Sequence, residues 1–186
     1  MRPIDAELAQ RILGGDREAL CAFSEAYDHR LRRFLSRILD DAAAVDDVVQ
    51  EVMAKVLLGG PWFEGWTSSL VAWVFRLAHN AAMDHLRSLG IHQRAMLGLR
   101  RRISRIVVIS PLQEIERREF QAAFEGEIRK LPEVYRTAFL LREVEELDYA
   151  EIAAVLGVGA KTVSTRIHRA RRLLRSALEP WLEERS

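Results

Sequence analysis

At 186 residues, with 49% hydrophobic and 30% charged side chains, the chain has the composition of one medium or two small globular domains. No apolar run approaches the roughly 20 residues that cross a bilayer, and the start Met1-Arg2-Pro3-Ile4 lacks the basic-then-apolar order of a signal peptide. A cytoplasmic protein without direct membrane insertion is expected. The formal net charge of +1 hides a segregation of sign: Asp40, Asp41, Asp46, Asp47 and Glu51 gather in one stretch, whereas Arg100, Arg101, Arg102 and Arg105 form a basic one, and Lys161, Arg166, Arg169, Arg171, Arg172 and Arg175 another. Surfaces of opposite sign imply two kinds of partner.

Nearly every readable segment repeats its apolar residues at three to four positions and none alternates with period two, so the fold class is all-α. Asp5 and Asp16 suit the caps of two opening helices, separated by Gly14-Gly15. The second helix carries Phe23, Tyr27, Leu31, Phe34, Leu35 and Ile38 as its core face, and Cys21 beside it reads as a small buried residue. A third helix follows the acidic stretch, with the stripe Val48, Val49, Val52, Met53, Val56 and Leu57, and ends at Gly59-Gly60-Pro61. A fourth spans about residues 69–88. Between Leu89 and Pro111 the periodicity fails, five arginines and the run Ile106-Val107-Val108-Ile109 appear, and a linker is expected. Helical spacing returns with Ile115, Phe120 and Phe124 on one face, and Pro132 suits the first turn of a helix reaching about Val144. The chain therefore divides into a helical bundle over residues 1–90, a linker over 91–111, and a second helical domain over 112–186.

The end of the chain carries the sharpest pattern. Asp148-Tyr149-Ala150-Glu151 has capping-box spacing, and Ile152, Ala153 and Leu156 give the short helix that follows an apolar side. Gly157 closes it with a left-handed turn, and a longer basic helix begins within a few residues. This is the helix-turn-helix plan. Val163, Ile167, Ala170 and Leu174 face the core, which turns Thr162, Ser164, Thr165, Arg166, Arg169 and Arg172 outward, on a face without an acid. Side chains near the start of such a helix reach base edges, where an arginine bidentate to guanine discriminates by about 1–3 kcal/mol. Arg171, Arg172 and Arg175, further along, suit phosphates.

Two sets of motifs then resemble one family. The segments Leu131-Pro132-Glu133-Val134-Tyr135-Arg136, Leu141-Arg142-Glu143, Tyr149-Ala150-Glu151-Ile152-Ala153 and Thr162-Val163-Ser164-Thr165-Arg166-Ile167-His168-Arg169-Ala170-Arg171 resemble region four of the extracytoplasmic-function class of bacterial RNA polymerase sigma factors. Asp46-Asp47-Val48-Val49-Gln50-Glu51-Val52, Ala72-Trp73-Val74-Phe75-Arg76-Leu77-Ala78-His79-Asn80 and Asp84-His85-Leu86-Arg87 resemble region two. The resemblance implies a non-enzymatic factor with no cofactor or metal, whose partners are core RNA polymerase, promoter DNA and an anti-sigma factor.

It also distributes roles. Lys161, Thr162, Ser164, Thr165, Arg166, Arg169, Arg171 and Arg172 are the expected readers of the minus-thirty-five element. Asp46, Asp47, Gln50 and Glu51 form the expected polymerase-binding face. Trp62, Phe63 and Trp66 can hold unstacked bases, and Arg76, His79, Asn80 and Arg87 complete the expected minus-ten surface, while Asp84 suits the fixing of a neighbouring arginine and Trp73 suits the core. The sequence departs from the family pattern at Met53, His79, Gly159 and Ser164. Two other readings compete: a stand-alone helix-turn-helix regulator, which predicts tight operator binding without polymerase, and an enzyme holding a metal through Asp46, Asp47 and Glu51 or through His29, His79 and His85, whose spacing fits no common metal motif.

Overall fold

A computed structural model describes residues 3–58, 68–93 and 112–183. Those residues form eight helices and no strand: α1 (Pro3–Leu13), α2 (Arg17–Leu35), α3 (Ala42–Leu57), α4 (Leu70–Gln93), α5 (Leu112–Lys130), α6 (Glu133–Glu143), α7 (Tyr149–Leu156) and α8 (Ala160–Glu183).

The first corner shows how local chemistry sets the architecture. Gly15 takes a φ of 76°, and Asp16 then accepts from the backbone nitrogens of Glu18 and Ala19 at 2.9 and 3.2 Å, starting α2. Arg11 donates to the same carboxylate at 2.7 Å, and that bond, followed by the cap bonds, holds Asp16 below the usual carboxylate range. Asp5, expected as a cap, lies instead inside α1, because Pro3 already occupies the first turn, where its fixed φ suits a helix and its missing N–H costs nothing. The third helix likewise starts earlier than expected. Asp41 caps it by accepting from Ala43, so Asp46, Asp47 and Glu51 ride on α3 rather than preceding it.

Phe23, Tyr27, Leu31, Phe34 and Leu35 line the buried side of α2, and Ile38 is buried in the turn beyond it. Cys21 is exposed, against expectation. It lies two residues from both Ala19 and Phe23, about 200° round the helix from each, and so faces away from their stripe. From α3, Val45, Val48, Val49, Val52 and Val56 close over the same core, and Phe34 meets the ring of Phe75 on α4 edge-on at 5.1 Å.

Helix α4 is the centre of the molecule. Residues 72–75, Ala72-Trp73-Val74-Phe75, are all buried, which a one-sided helix cannot achieve. It is covered on one side by α2 and α3 and on another by α7, so the apolar cluster runs on from the N-terminal helices into the C-terminal ones. There, Thr137 to Leu141 of α6, Ile152 and Val155 of α7, and Val163, Ile167, Ala170 and Leu174 of α8 are buried together. Phe124 of α5 packs against Phe139 at 6.5 Å, whereas Phe120, expected on the same face, is more than a third exposed.

Candidate nucleic-acid interface

The helix-turn-helix is built by three short-range devices. Asp148 accepts from the Glu151 backbone at 2.8 Å and Glu151 accepts from the Asp148 backbone at 2.9 Å, so the capping box is complete. Gly157 closes α7 in the left-handed region at φ 64°. Two residues later the Gly159 carbonyl accepts from Thr162 and Val163 and opens α8. With Val163, Ile167 and Ala170 at most 1% exposed, the roll of α8 about its axis is set, and Lys161, Thr162, Ser164, Thr165, Arg169, Arg171 and Arg172 are exposed, Arg166 partly so.

The basic side chains on this face are not equivalent. Arg169 donates to the hydroxyl of Tyr135 at 3.0 Å and lies over its ring, and Arg171 is bonded to Glu143 at 2.5 Å, which raises its guanidinium above the ordinary value. Both are held against α6. Lys161, Arg166 and Arg172 have no such partner among the described residues, which leaves them the cations most available to an incoming polyanion. Tyr135 and Glu143 belong to the motifs read from the sequence, but their contacts with α8 are not legible there, since nothing in a pair 34 or 28 residues apart marks it as a contact.

In the N-terminal half, Asp46, Asp47, Gln50 and Glu51 are all exposed on α3. Asp46 is bonded to Arg32, which also takes Asp28 at 2.8 Å, and Glu51 is paired with Lys55 at 2.5 Å. Asp47 and Gln50 are the members of this set with no ion pair or side-chain bond among the described residues. On α4, Arg76 and Asn80 are exposed, and Arg87 is exposed and bonded to Asp84, as the sequence suggested. Trp73 is core, at 7% exposure. His79 is not turned to solvent: its Nε2 lies 3.6 Å from Glu133 of α6, and the neighbouring imidazole, with the hydrogen bond that Thr137 donates at 3.0 Å, holds the Glu133 carboxyl below the usual range. Trp62, Phe63 and Trp66 lie outside the described residues.

Comparison with known proteins adds to this geometry. The family model for Sigma-70 region 2 matches residues 23–90, and the one for Sigma-70, region 4 matches residues 121–174. The RNA polymerase sigma-H factor of Pseudomonas aeruginosa is 32% identical, over 97% of this chain and 96% of its own length. The ECF RNA polymerase sigma factor SigW of Bacillus subtilis is 27% identical, over 91% and 94%. Among solved structures, the sigma factor RpoE in complex with the anti-sigma factor NepR from Bartonella quintana superposes with a TM-score of 0.63 at 25% identity, covering 81% of this chain and 90% of that one.

Proposed function

The chain belongs to the sigma-70 family of RNA polymerase sigma factors, in its extracytoplasmic-function class, and on that premise we propose how its residues divide the work. It is an alternative sigma factor, which binds core RNA polymerase and directs promoter-specific transcription initiation. Region 2 and region 4 matches in one chain disfavour the stand-alone regulator. Residues 1–90 act as the polymerase-binding and minus-ten unit, 91–111 as the linker, and 112–186 as the minus-thirty-five unit.

The observation that carries the residue assignment is the opposite sign of the side chains left without an ion pair among the described residues: Lys161, Arg166 and Arg172 on the outer face of a helix-turn-helix, and Asp47, beside the exposed Gln50, on α3. Arg166 and the residues before it on α8 read base edges in the major groove; Arg169, Arg171 and Arg172 meet phosphates. Asp46, Asp47, Gln50 and Glu51 engage a basic surface of the polymerase. Arg76, His79, Asn80 and Arg87 contact the minus-ten DNA, and Trp62, Phe63 and Trp66 hold bases once the strands part. The factor performs no catalysis, and binding energy alone stabilises strand opening. It works in the cytoplasm, and an anti-sigma factor, such as the one bound to the Bartonella sigma factor, is a further partner that holds this chain inactive.

The direct test is transcription from fragmented genomic DNA by sigma-free core polymerase with and without the protein. Starts that appear only with it and share two spaced upstream motifs are the expected result. Co-elution failure with core, together with DNA binding by the protein alone, would sink the assignment.

A further inference from the structure

We propose that Glu143 is a specificity-determining residue of the upstream-element interface: it neutralises Arg171 toward duplex DNA in general and positions that guanidinium for one phosphate of the seated complex. The inference rests on the assignment of α8 to DNA made above.

Helix α8 carries no acid from Ala160 to Leu178, so by its own sequence its outer face is of one sign. The packing of α6 changes that. Glu143, the last residue of α6, accepts from Arg171 Nε at 3.2 Å and from Nη2 at 2.5 Å, the one ion pair of α8 among the described residues. Arg171 follows the buried Ala170 by about 100° of helical turn and so sits at the margin of the exposed face, beside α6. The neighbouring Arg142 does not compete for this carboxylate, because it donates to the Leu147 carbonyl at 2.8 Å and lies over the Tyr149 ring.

The contrast with Arg169 is chemical. Tyr135, also on α6, holds Arg169 through a neutral hydroxyl at 3.0 Å and the face of its ring, which orients a guanidinium and leaves its charge whole. Glu143 orients Arg171 and cancels it. One helix thus sets a full cation and a neutralised one at the border of the reading face.

Neutralisation matters most where binding is purely ionic. Duplex DNA of any sequence binds through its phosphates, and each cation that displaces a condensed counter-ion steepens the salt dependence of affinity by about 0.9. Paired with Glu143, Arg171 adds little to that sum. A seated complex makes a different demand. Both bonds end on a single carboxylate oxygen, Oε1, and Arg171 Nη1 has no hydrogen bond among the described residues, so the guanidinium can keep Glu143 and still give Nη1 to one phosphate placed in line with it. The pair is also open to solvent, with side-chain exposures of 52% and 37%, and contributes little to folding, which the buried stripe of α8 secures.

The experiment titrates the full chain onto a fluorescent duplex of mixed sequence over about 50–200 mM salt. Glu143→Gln should steepen the slope of log affinity against log salt by up to about 0.9, so that its advantage over the parent grows about threefold from the high-salt end to the low. Tyr135→Phe, which unbraces Arg169 without a change of charge, should leave the slope alone; if it steepens the slope equally, freed motion rather than charge is the cause and the proposal falls. In an Arg171→Gln background Glu143→Gln should no longer steepen the slope. An equal effect there would mean that the carboxylate repels DNA directly, and would overturn its role through Arg171. In transcription by the holoenzyme from fragmented genomic DNA, Glu143→Gln should lower the ratio of starts that carry the two upstream motifs to starts that do not, and a ratio equal to the parent's removes the specificity role. If Glu143→Gln keeps the parent's slope while Arg172→Ala reduces it, the proposal is overturned and α8 still binds DNA. If neither changes the slope, the assignment of α8 to DNA fails and the proposal with it.

Discussion

Removing the cap of the shortest helix tests whether local chemistry holds the DNA-reading unit together. Asp148→Ala deletes the acceptor for the Glu151 backbone nitrogen and, with it, one arm of the capping box. Such a cap is worth about 1 kcal/mol. Helix α7 has only 8 residues and cannot stand without its cap and the packing of Ile152 and Val155, so the loss falls on the whole helix-turn-helix. Thermal unfolding reports the size. A chain of this length melting as one unit should lose about 2–4 °C, whereas a C-terminal unit melting by itself should lose about 4–8 °C. The cluster shared between the halves predicts the smaller shift. Binding to an upstream-element fragment should weaken in parallel. An unchanged midpoint with unchanged DNA binding would show that the box does not secure α7.

Arg166→Ala should weaken upstream-element binding by about 1–3 kcal/mol and relax preference at one base pair, whereas Trp62→Ala or Phe63→Ala should leave initial binding intact and slow strand opening, as permanganate footprinting reads it. Arg172→Ala should weaken binding to all sequences alike and reduce the slope of log affinity against log salt by about 0.9; a sequence-selective loss would reassign it to base reading. Glu146→Gly, which frees the φ of 57° from its Cβ clash, should raise stability by about 1 kcal/mol in denaturant titration, and a loss would place the Glu146 side chain in a contact that matters more. The depressed carboxyls of Asp16, through Arg11, and Glu133, through His79 and Thr137, have lower folded than unfolded values, so their contribution is full above the ordinary carboxylate range and disappears as pH falls through their folded values. Glu133→Gln should therefore flatten the acid limb of the stability curve, and an unchanged limb would remove this carboxylate from the linkage.

What could be read along the chain were features whose geometry is set within one or two helical turns. The capping box at Asp148 and Glu151, the left-handed Gly157 and the buried stripe Val163, Ile167, Ala170 and Leu174 each depend on residues three or four apart, and the helix itself brings such residues together. Asp84 beside Arg87 belongs to the same class. The basic outer face of α8 followed from that stripe with no further information. Even the burial of α4 on several sides had a local sign, in the unbroken apolar run Val71-Ala72-Trp73-Val74-Phe75, although what would cover it did not.

Packing between distant elements decided the rest. Arg169 is drawn to Tyr135 and Arg171 to Glu143, so residues that look alike on the helical face differ in their freedom to meet phosphate. His79 faces Glu133 instead of solvent, and Asp46 is shared with Arg32. Glu145 finds Arg30 across 115 residues. In sequence it is one carboxylate in an ordinary acidic turn; only the docking of α7 on α4 and of that turn on α2 takes it out of water and sets two guanidiniums against it. Local hydrogen bonds and periodicity determine which helices form and which side of each is apolar, because those energies act between near neighbours. Which side chains are desolvated together, and hence which charges are spent inside the protein and which remain for its partners, is settled by the tertiary arrangement.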